Sequence, residues 1–350
     1  MLTDLLSNKD PNKRLLPSDA HDAIEATNWD LEQIVETHAA QLSPAESVYF
    51  KRLFKQTHRI KQFYISLKIH KKPMSSRPIV SCCGSLPEGC SKWLDYKMKD
   101  IIPLVPTHLR DSNQVVQELN DLGELPLHAK LFTADAISMY TNIKTQHGLE
   151  VLNLWIKNHA SELPLTFPKA LFKNILNVVM SENVFQFDDT FWRQEDDTAM
   201  GTSCAVQYAG LYYGYHELHD IIPRFKHNLL YFKRFVDDML GIWIGTDDEE
   251  WEAFKTALPF GSLKWETSDL SSSAIFLDLK LEIVDRRIIT KTYEKPMNLF
   301  LYIPPSSAHS PGVLKSTIFG NVRRYWNQNT NVEDYRSAVQ RCSEIGSTWS

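Results

Sequence analysis

The chain has 350 residues, 43% hydrophobic and 23% charged, a globular composition that excludes a disordered or fibrous protein. Its formal net charge of -5 hides an asymmetry: residues 51–100 carry twelve Lys and Arg against three acidic residues, a local net of plus nine. Such an excess on an acidic chain is the footprint expected for phosphate ligands. No run approaches the roughly 18 apolar residues of a membrane span. The first twenty residues are broken by charges and prolines, so no secretory signal is expected and the chain reads as intracellular, nuclear or cytoplasmic. The five cysteines, Cys82, Cys83, Cys90, Cys204 and Cys342, are odd in number and contain no C-x-x-C, so they read as reduced thiols.

The first sixty residues read as helical. Asn28 and Asp30 are expected to open a helix over LEQIVETHAAQL, and Ser43, Pro44 and Glu46 form a capping box opening another through about Arg59. FYISLKI and SRPIVSC then read as two strands joined by KKPMSS, a hairpin with basic arms. A helical stretch from Ser91 towards Leu122, broken by Pro103 and Pro106, leads into a buried strand, KLFTADAI. GLEVLNLWI and PKALFKNILNVVM read as helices, VFQF and TFWRQ as a hairpin, and 203–219 as a helix. LLYFKRFV and MLGIWIG are strands flanking Asp237 and Asp238, and DDEEWEAFKTAL is a short helix with an acidic first turn. Two further strands, IFLDLKLEIV and RIITKTYE, precede a loop, IPPSSAHSP, and two helices, GVLKSTIFGNVRRYW and NVEDYRSAVQRC. Helices mixed with mostly local hairpins define an α+β chain.

Three carboxylates stand out. Asp135 ends a buried strand, and Asp237-Asp238 sit between strands too apolar and aromatic for an ordinary hairpin turn, which favours Asn-Gly or Asp-Gly. Phosphoryl transfer with two metals needs carboxylates from separate strand ends converging on a pair of divalent ions. Adjacent residues of a strand project to opposite faces, so Asp237 is expected to face the site and Asp238 to contribute partially or through water. Asp188-Asp189, Asp196-Asp197 and Asp247-Asp248 read as solvated turns.

The strings LKIHKKPMSSRPIVS, LFTADAISMYTNIK, QEDDTAMGTSCAVQYA, KRFVDDMLGIW and IFLDLKLEI stand in the order and spacing of the blocks of reverse transcriptases. K-I-H-K before R-P-I-V-S, Y-T-N-I after the first aspartate, T-A-M-G-T and F-L-D-L resemble the Penelope-like retroelement reverse transcriptases, relatives of telomerase, over about Gln62 to Arg324. The resemblance implies a right-hand polymerase. Residues 1–61 would be an N-terminal helical extension, 62–129 fingers, and 130–296 a palm with an antiparallel, ferredoxin-like sheet and a helical insertion at about 146–182. Residues 297–350 would be a partial thumb.

It further implies that Asp135, Asp237 and Asp238 are catalytic and hold two Mg²⁺, or Mn²⁺, with the Ala136 carbonyl as an extra ligand. Lys68 and Arg77 would hold the triphosphate of the incoming nucleotide. Tyr140, five positions after Asp135, would lie under the sugar and reject a 2′-hydroxyl. Met200 and Gly201, with Gln194 opening their block, would back the nucleotide and template base. Lys264 is the candidate proton donor to pyrophosphate. Lys71, Lys72, Arg234, Arg323 and Arg324 would touch nucleic-acid backbone, and Asp278 is expected to be structural.

The implied activity is RNA-directed DNA synthesis on an RNA template from a DNA primer with dNTPs. The alternatives are an RNA-dependent RNA polymerase or a decayed or domesticated remnant that only binds nucleic acid. Two positions depart from the family pattern: Asp197 stands where glycine is usual and Val206 where proline is, a loss expected to loosen the nucleotide floor. The family's GIY-YIG endonuclease domain is not in this sequence, so integration is expected to need a separate endonuclease.

Overall fold

The computed structural model describes residues 12–68, 75–295, 307–310 and 312–347. The KKPMSS turn with Lys71 and Lys72, and most of the IPPSSAHSP loop, lie outside the described residues. The chain opens with β1 (Asn12–Leu15), α1 (Pro17–Thr37), α2 (Pro44–Leu53), β2 (Lys61–Lys68), β3 (Ser75–Ser81), α3 (Leu86–Met98) and α4 (Ser112–Asp121). It continues through β4 (Lys130–Ala136), α5 (Thr145–Asn158), α6 (Lys169–Ser181), β5 (Asn183–Phe187), β6 (Thr190–Gln194) and α7 (Ala205–His216). Then come β7 (Leu229–Phe235), β8 (Asp238–Trp243), α8 (Asp248–Ala257), β9 (Trp265–Thr267), β10 (Ser273–Phe276), β11 (Leu279–Val284), β12 (Arg287–Thr292), α9 (Val313–Gln328) and α10 (Val332–Ser347).

Several elements differ from their sequence reading, among them β1, a strand within the stretch read as helical. α1 starts at Pro17, its N1 residue, and runs through Asn28 and Asp30. A stripe of Ala20, Thr27, Leu31 and Val35 at helical spacing is buried along it, leaving the two cap-like residues away from its ends. α2 has the expected capping box, with the Glu46 N–H donating to Ser43 Oγ and the Ser43 N–H to Glu46 Oε2. It stops at Leu53, whose carbonyl is bonded by the His58 ring at 3.0 Å. IFLDLKLEIV is two strands, because Leu277 adopts a left-handed φ of 55° and turns the chain between β10 and β11.

Contacts group the chain into two units. The first comprises 1–106, 137–220 and 258–264; the second comprises 107–136, 221–257 and 265–350. This grouping cuts across the partition expected from chain order: the N-terminal helices join β2, β3 and the 146–182 helices, whereas the thumb-like helices join the strands carrying the acids.

The first unit holds a five-stranded sheet in the order β1-β6-β5-β2-β3. Phe63, Val80, Phe185 and Trp192 make one apolar cluster on it, and α1, α3, α5, α6 and α7 pack among themselves. The second unit holds an antiparallel sheet, β7-β8-β4-β9, and a hairpin sheet, β10-β11-β12. Both faces of the four-stranded sheet are covered, which explains why its strands read as continuous apolar runs rather than alternating ones. Leu131, Tyr231, Leu240 and Ile242 pack with Val115 and Leu119 of α4 and with Leu279 and Leu281 of β11. The alternate residues Phe132, Phe232 and Trp243 stack with Trp251 and Phe254 of α8, ring centroids 5.1–6.5 Å apart. Gly241 makes that stacking possible: a Cβ there would lie 2.1 Å from the Phe132 ring. All five cysteines are free.

Candidate active site

β4 and β8 are antiparallel with Asp135 opposite Asp238. The Ala136 N–H donates to the Asp237 carbonyl at 2.8 Å, so Ala136 and Asp237 form a hydrogen-bonded pair and the backbone polar groups of Ala136 face the Asp237 turn. The next pair, Asp135 and Asp238, is therefore non-hydrogen-bonded, the position at which Cα atoms approach to about 4.5 Å and side chains lie closest. The two carboxyls are hydrogen-bonded to one another. Burial first, then that bond, then the charges of Asp237 and Asp135 push the Asp238 carboxyl up to about 7, with Lys295 opposing. Asp238 is half-buried, whereas Asp135 and Asp237 are exposed.

This corrects the assignment of faces: Asp238, not Asp237, is the acid turned to Asp135. Side chains alternate along β8 as in any strand, but which acid is turned to Asp135 depends on the length of the turn. Phe235 pairs with Asp238, leaving Val236 and Asp237 as a two-residue turn. Val236 has a left-handed φ of 54°, a conformation a β-branched residue resists. Arg234 braces it. Its Nη1 donates to the Val236 carbonyl at 2.9 Å, its N–H donates to the Thr107 carbonyl at 2.7 Å, and its own carbonyl accepts the Leu109 N–H at 2.9 Å. Arg234 is only 2% exposed, so its reading as a contact to nucleic acid is corrected: it is an internal support of the acidic turn. Lys295, which no motif marked, contributes the cationic influence on Asp238.

Hard carboxylate oxygens on facing strands are of the donor type that suits a divalent cation such as Mg²⁺ or Mn²⁺. Among the described residues no three His, Cys, Asp or Glu side chains are gathered around a single ion position. The raised Asp238 makes a pH prediction. An unfolded aspartate titrates near about 3.9, and the folded carboxyl holds its proton up to about 7. Between these values the folded state binds more protons, so stability falls as pH rises through the window and stays lower above it. Thermal unfolding from pH 4.5 to 8 is expected to show this loss in the parent and a smaller one in Asp238→Asn. Equal losses would mean that the carboxyl titrates normally.

The other candidate residues lie in the first unit, apart from the thumb pair. Tyr140 sits in a 3₁₀ turn (Met139–Asn142), half-exposed, and its carbonyl accepts the Thr198 N–H at 2.9 Å. The Met200 carbonyl accepts the Val80 N–H at 2.8 Å. Gly201 has φ 117°, and a Cβ there would lie 2.2 Å from the Val80 carbonyl, so glycine is needed for the loop to lie on β3. Arg77 is exposed on that strand, paired with Ser66, and Lys68 pairs with Ser75 two steps along the same hairpin. The structure thus brings the Tyr140 turn, Met200-Gly201 and the Arg77 strand together. Gln194 lies in the sheet between Asn183 and Asn12 rather than in this loop. Lys264 is exposed, its carbonyl accepting the Ile137 N–H at 2.9 Å.

Asp197, the departure from glycine, does not read as a solvated turn: it is 6% exposed, holds φ 70° as a glycine would, and is bonded by Lys144. In the second unit Arg323 and Arg324 are exposed on α9, and Arg324 lies 4.0 Å from Asp278. Asp278 accepts from Gln328 Nε2 and its carbonyl from the Tyr293 N–H, anchoring α9 to the hairpin sheet.

A mixed α+β chain with these antiparallel sheets has a fold shared by nucleic-acid polymerases. Telomerase from Candida albicans, in complex with the TWJ fragment of telomeric RNA, matches with a TM-score of 0.56 and 14% identity over 85% of this chain and 57% of that one. An RdRp complex matches at 0.52 and 12% identity over 89% and 28% of the two chains, and the BmCPV RNA-dependent RNA polymerase at elongation state at 0.50 and 13% over 92% and 29%. The chain thus spans little more than half of the telomerase and under a third of the viral polymerases, and the likeness is one of fold. No family model and no curated protein matches the chain. No helix among the described residues is long and apolar enough to cross a membrane.

Proposed function

We propose that this chain is an RNA-directed DNA polymerase of the Penelope-like class, extending a primer 3′-hydroxyl with dNTPs on an RNA template. The observation that carries the reading is the Asp135–Asp238 pair, facing each other in register at the strand ends of an antiparallel sheet in a fold shared with telomerase. Asp135 and Asp238, with Asp237 beside them, would hold two Mg²⁺ or Mn²⁺, Asp238 giving up its proton as they bind. Bound there, the ions would favour ionisation of the 3′-hydroxyl and offset charge on the phosphates. The primer oxygen attacks the α-phosphorus, the bond to pyrophosphate breaks, and the hydroxyl proton passes to solvent.

The protein's part is positioning. Arg77 offers a bidentate fork and Lys68 a point charge to the triphosphate. Met200-Gly201 backs the base, Tyr140 lies beneath the sugar, Lys264 is the candidate proton donor to pyrophosphate, and Arg323 and Arg324 touch backbone phosphate.

The viral neighbours favour one second reading, an RNA-dependent RNA polymerase. Primer extension on poly(rA)/oligo(dT) with Mg²⁺ or Mn²⁺, comparing dTTP with UTP, separates the two. Tyr140→Ala is expected to lower the dNTP-over-NTP ratio of kcat/KM by about ten- to a hundredfold, since a steric rejection is worth a few kcal/mol and each 1.36 kcal/mol is about tenfold. An unchanged ratio in an active variant removes Tyr140 from the sugar pocket and returns the RNA polymerase reading.

A further inference from the structure

The loop 195–201 is tied to the start of α5 by more bonds than its length requires. Lys144 Nζ lies 2.7 Å from Asp197 Oδ1 and 3.1 Å from Asp196 Oδ2. Asp196 Oδ1 accepts the Thr145 N–H at 2.9 Å, an anion at a helix N-terminus, and the Asp197 N–H at 2.8 Å. Thr145 Oγ1 donates to the Asp197 carbonyl at 3.1 Å. Asp197 is 6% exposed, and a carboxylate so buried needs a partner. Its left-handed φ of 70° carries the chain into Thr198, whose N–H bonds the Tyr140 carbonyl. The far end of the same loop is fixed on Val80 through Met200 and Gly201.

Resting on the nucleotide reading above, we infer that Lys144 and Asp197 form a clasp that fixes the Thr198–Gly201 loop on the Tyr140 turn, and so act as positioning residues for nucleotide selection. A glycine at 197 supplies the left-handed turn but no tie; Asp197 supplies both, replacing an entropic hinge with a charged one. Opening the clasp frees Thr198 from Tyr140 while Met200 stays anchored, so the ring beneath the sugar and the floor behind the base lose their fixed relation. The chemistry at Asp135 and Asp238 is untouched by this.

The test compares Lys144→Met, Asp197→Asn and the charge-keeping Lys144→Arg with the parent. Hydrogen exchange of the Thr198 amide is expected to quicken about tenfold or more in the first two and to stay near the parental rate in the third. In primer extension the first two are expected to raise KM for dNTP about tenfold with little change in kcat, the mark of lost binding shared by ground and transition states, and to narrow dNTP-over-NTP discrimination. Lys144→Arg restores both. Unchanged Thr198 exchange in Lys144→Met and Asp197→Asn overturns the clasp, as does a parental KM and discrimination in active variants. A parent with no extension activity overturns the polymerase reading and the selection role with it, while exchange still decides whether the tie exists.

Discussion

An Asp238→Asn variant is expected to lose about a thousandfold or more in primer extension while remaining folded. Asparagine keeps the shape and one oxygen but removes the charge a divalent cation needs, and ion-assisted stabilisation is worth several kcal/mol at about tenfold per 1.36 kcal/mol. The same change removes a like charge from beside Asp135, so melting at pH 8 should be unchanged or raised. Asp135→Asn should behave likewise, because the two residues face each other in register. Asp237→Asn, at an exposed turn position, is expected to cost less than either. Extension and melting measured together check the pattern; a Asp238→Asn enzyme with parental activity would overturn the site.

Arg234→Met should act the other way, on the scaffold first. Its guanidinium is buried and donates to the carbonyl of a residue in an unfavourable conformation. Loss of a bond from a charged donor costs about 1.5–3 kcal/mol, and the acidic turn relaxes with it. The variant is expected to melt earlier and to extend primers at least about tenfold more slowly at a temperature where it is folded. The salt dependence of its nucleic-acid binding should stay parental. Arg323→Met, exposed on α9, should show the reverse, parental melting with a shallower salt slope, because a phosphate contact contributes through counterion release. Exchanged phenotypes would return Arg234 to the nucleic-acid surface.

These contrasts show what the sequence could carry. Strand boundaries around Asp135 and Asp237-Asp238 were legible because continuous apolar runs mark strands covered on both faces. The order of the acids was not, since register depends on whether the turn consumes one residue or two, and Val236 carries no glycine-like signal. Arg234 and Arg323 are the same letter in a string; burial separates them, and Arg234 is held against the Thr107–Leu109 segment far from it along the chain. Leu277 hid a turn for the same reason as Val236. Asp197 looked like a defect because a backbone conformation usual for glycine is also open to aspartate, and its partner, Lys144, stands 53 positions earlier.

The aromatic stack behind the acids has an optical consequence. β8 carries Asp238 at one end and Trp243 at the other, and Trp243 lies 5.1 Å from Trp251 of α8. Both indoles are buried, 1% and 7% exposed. Their near-ultraviolet dichroism and emission therefore depend on the position of a strand whose other end carries Asp238, giving the chain an intrinsic chromophore for shear of β8 without any attached label.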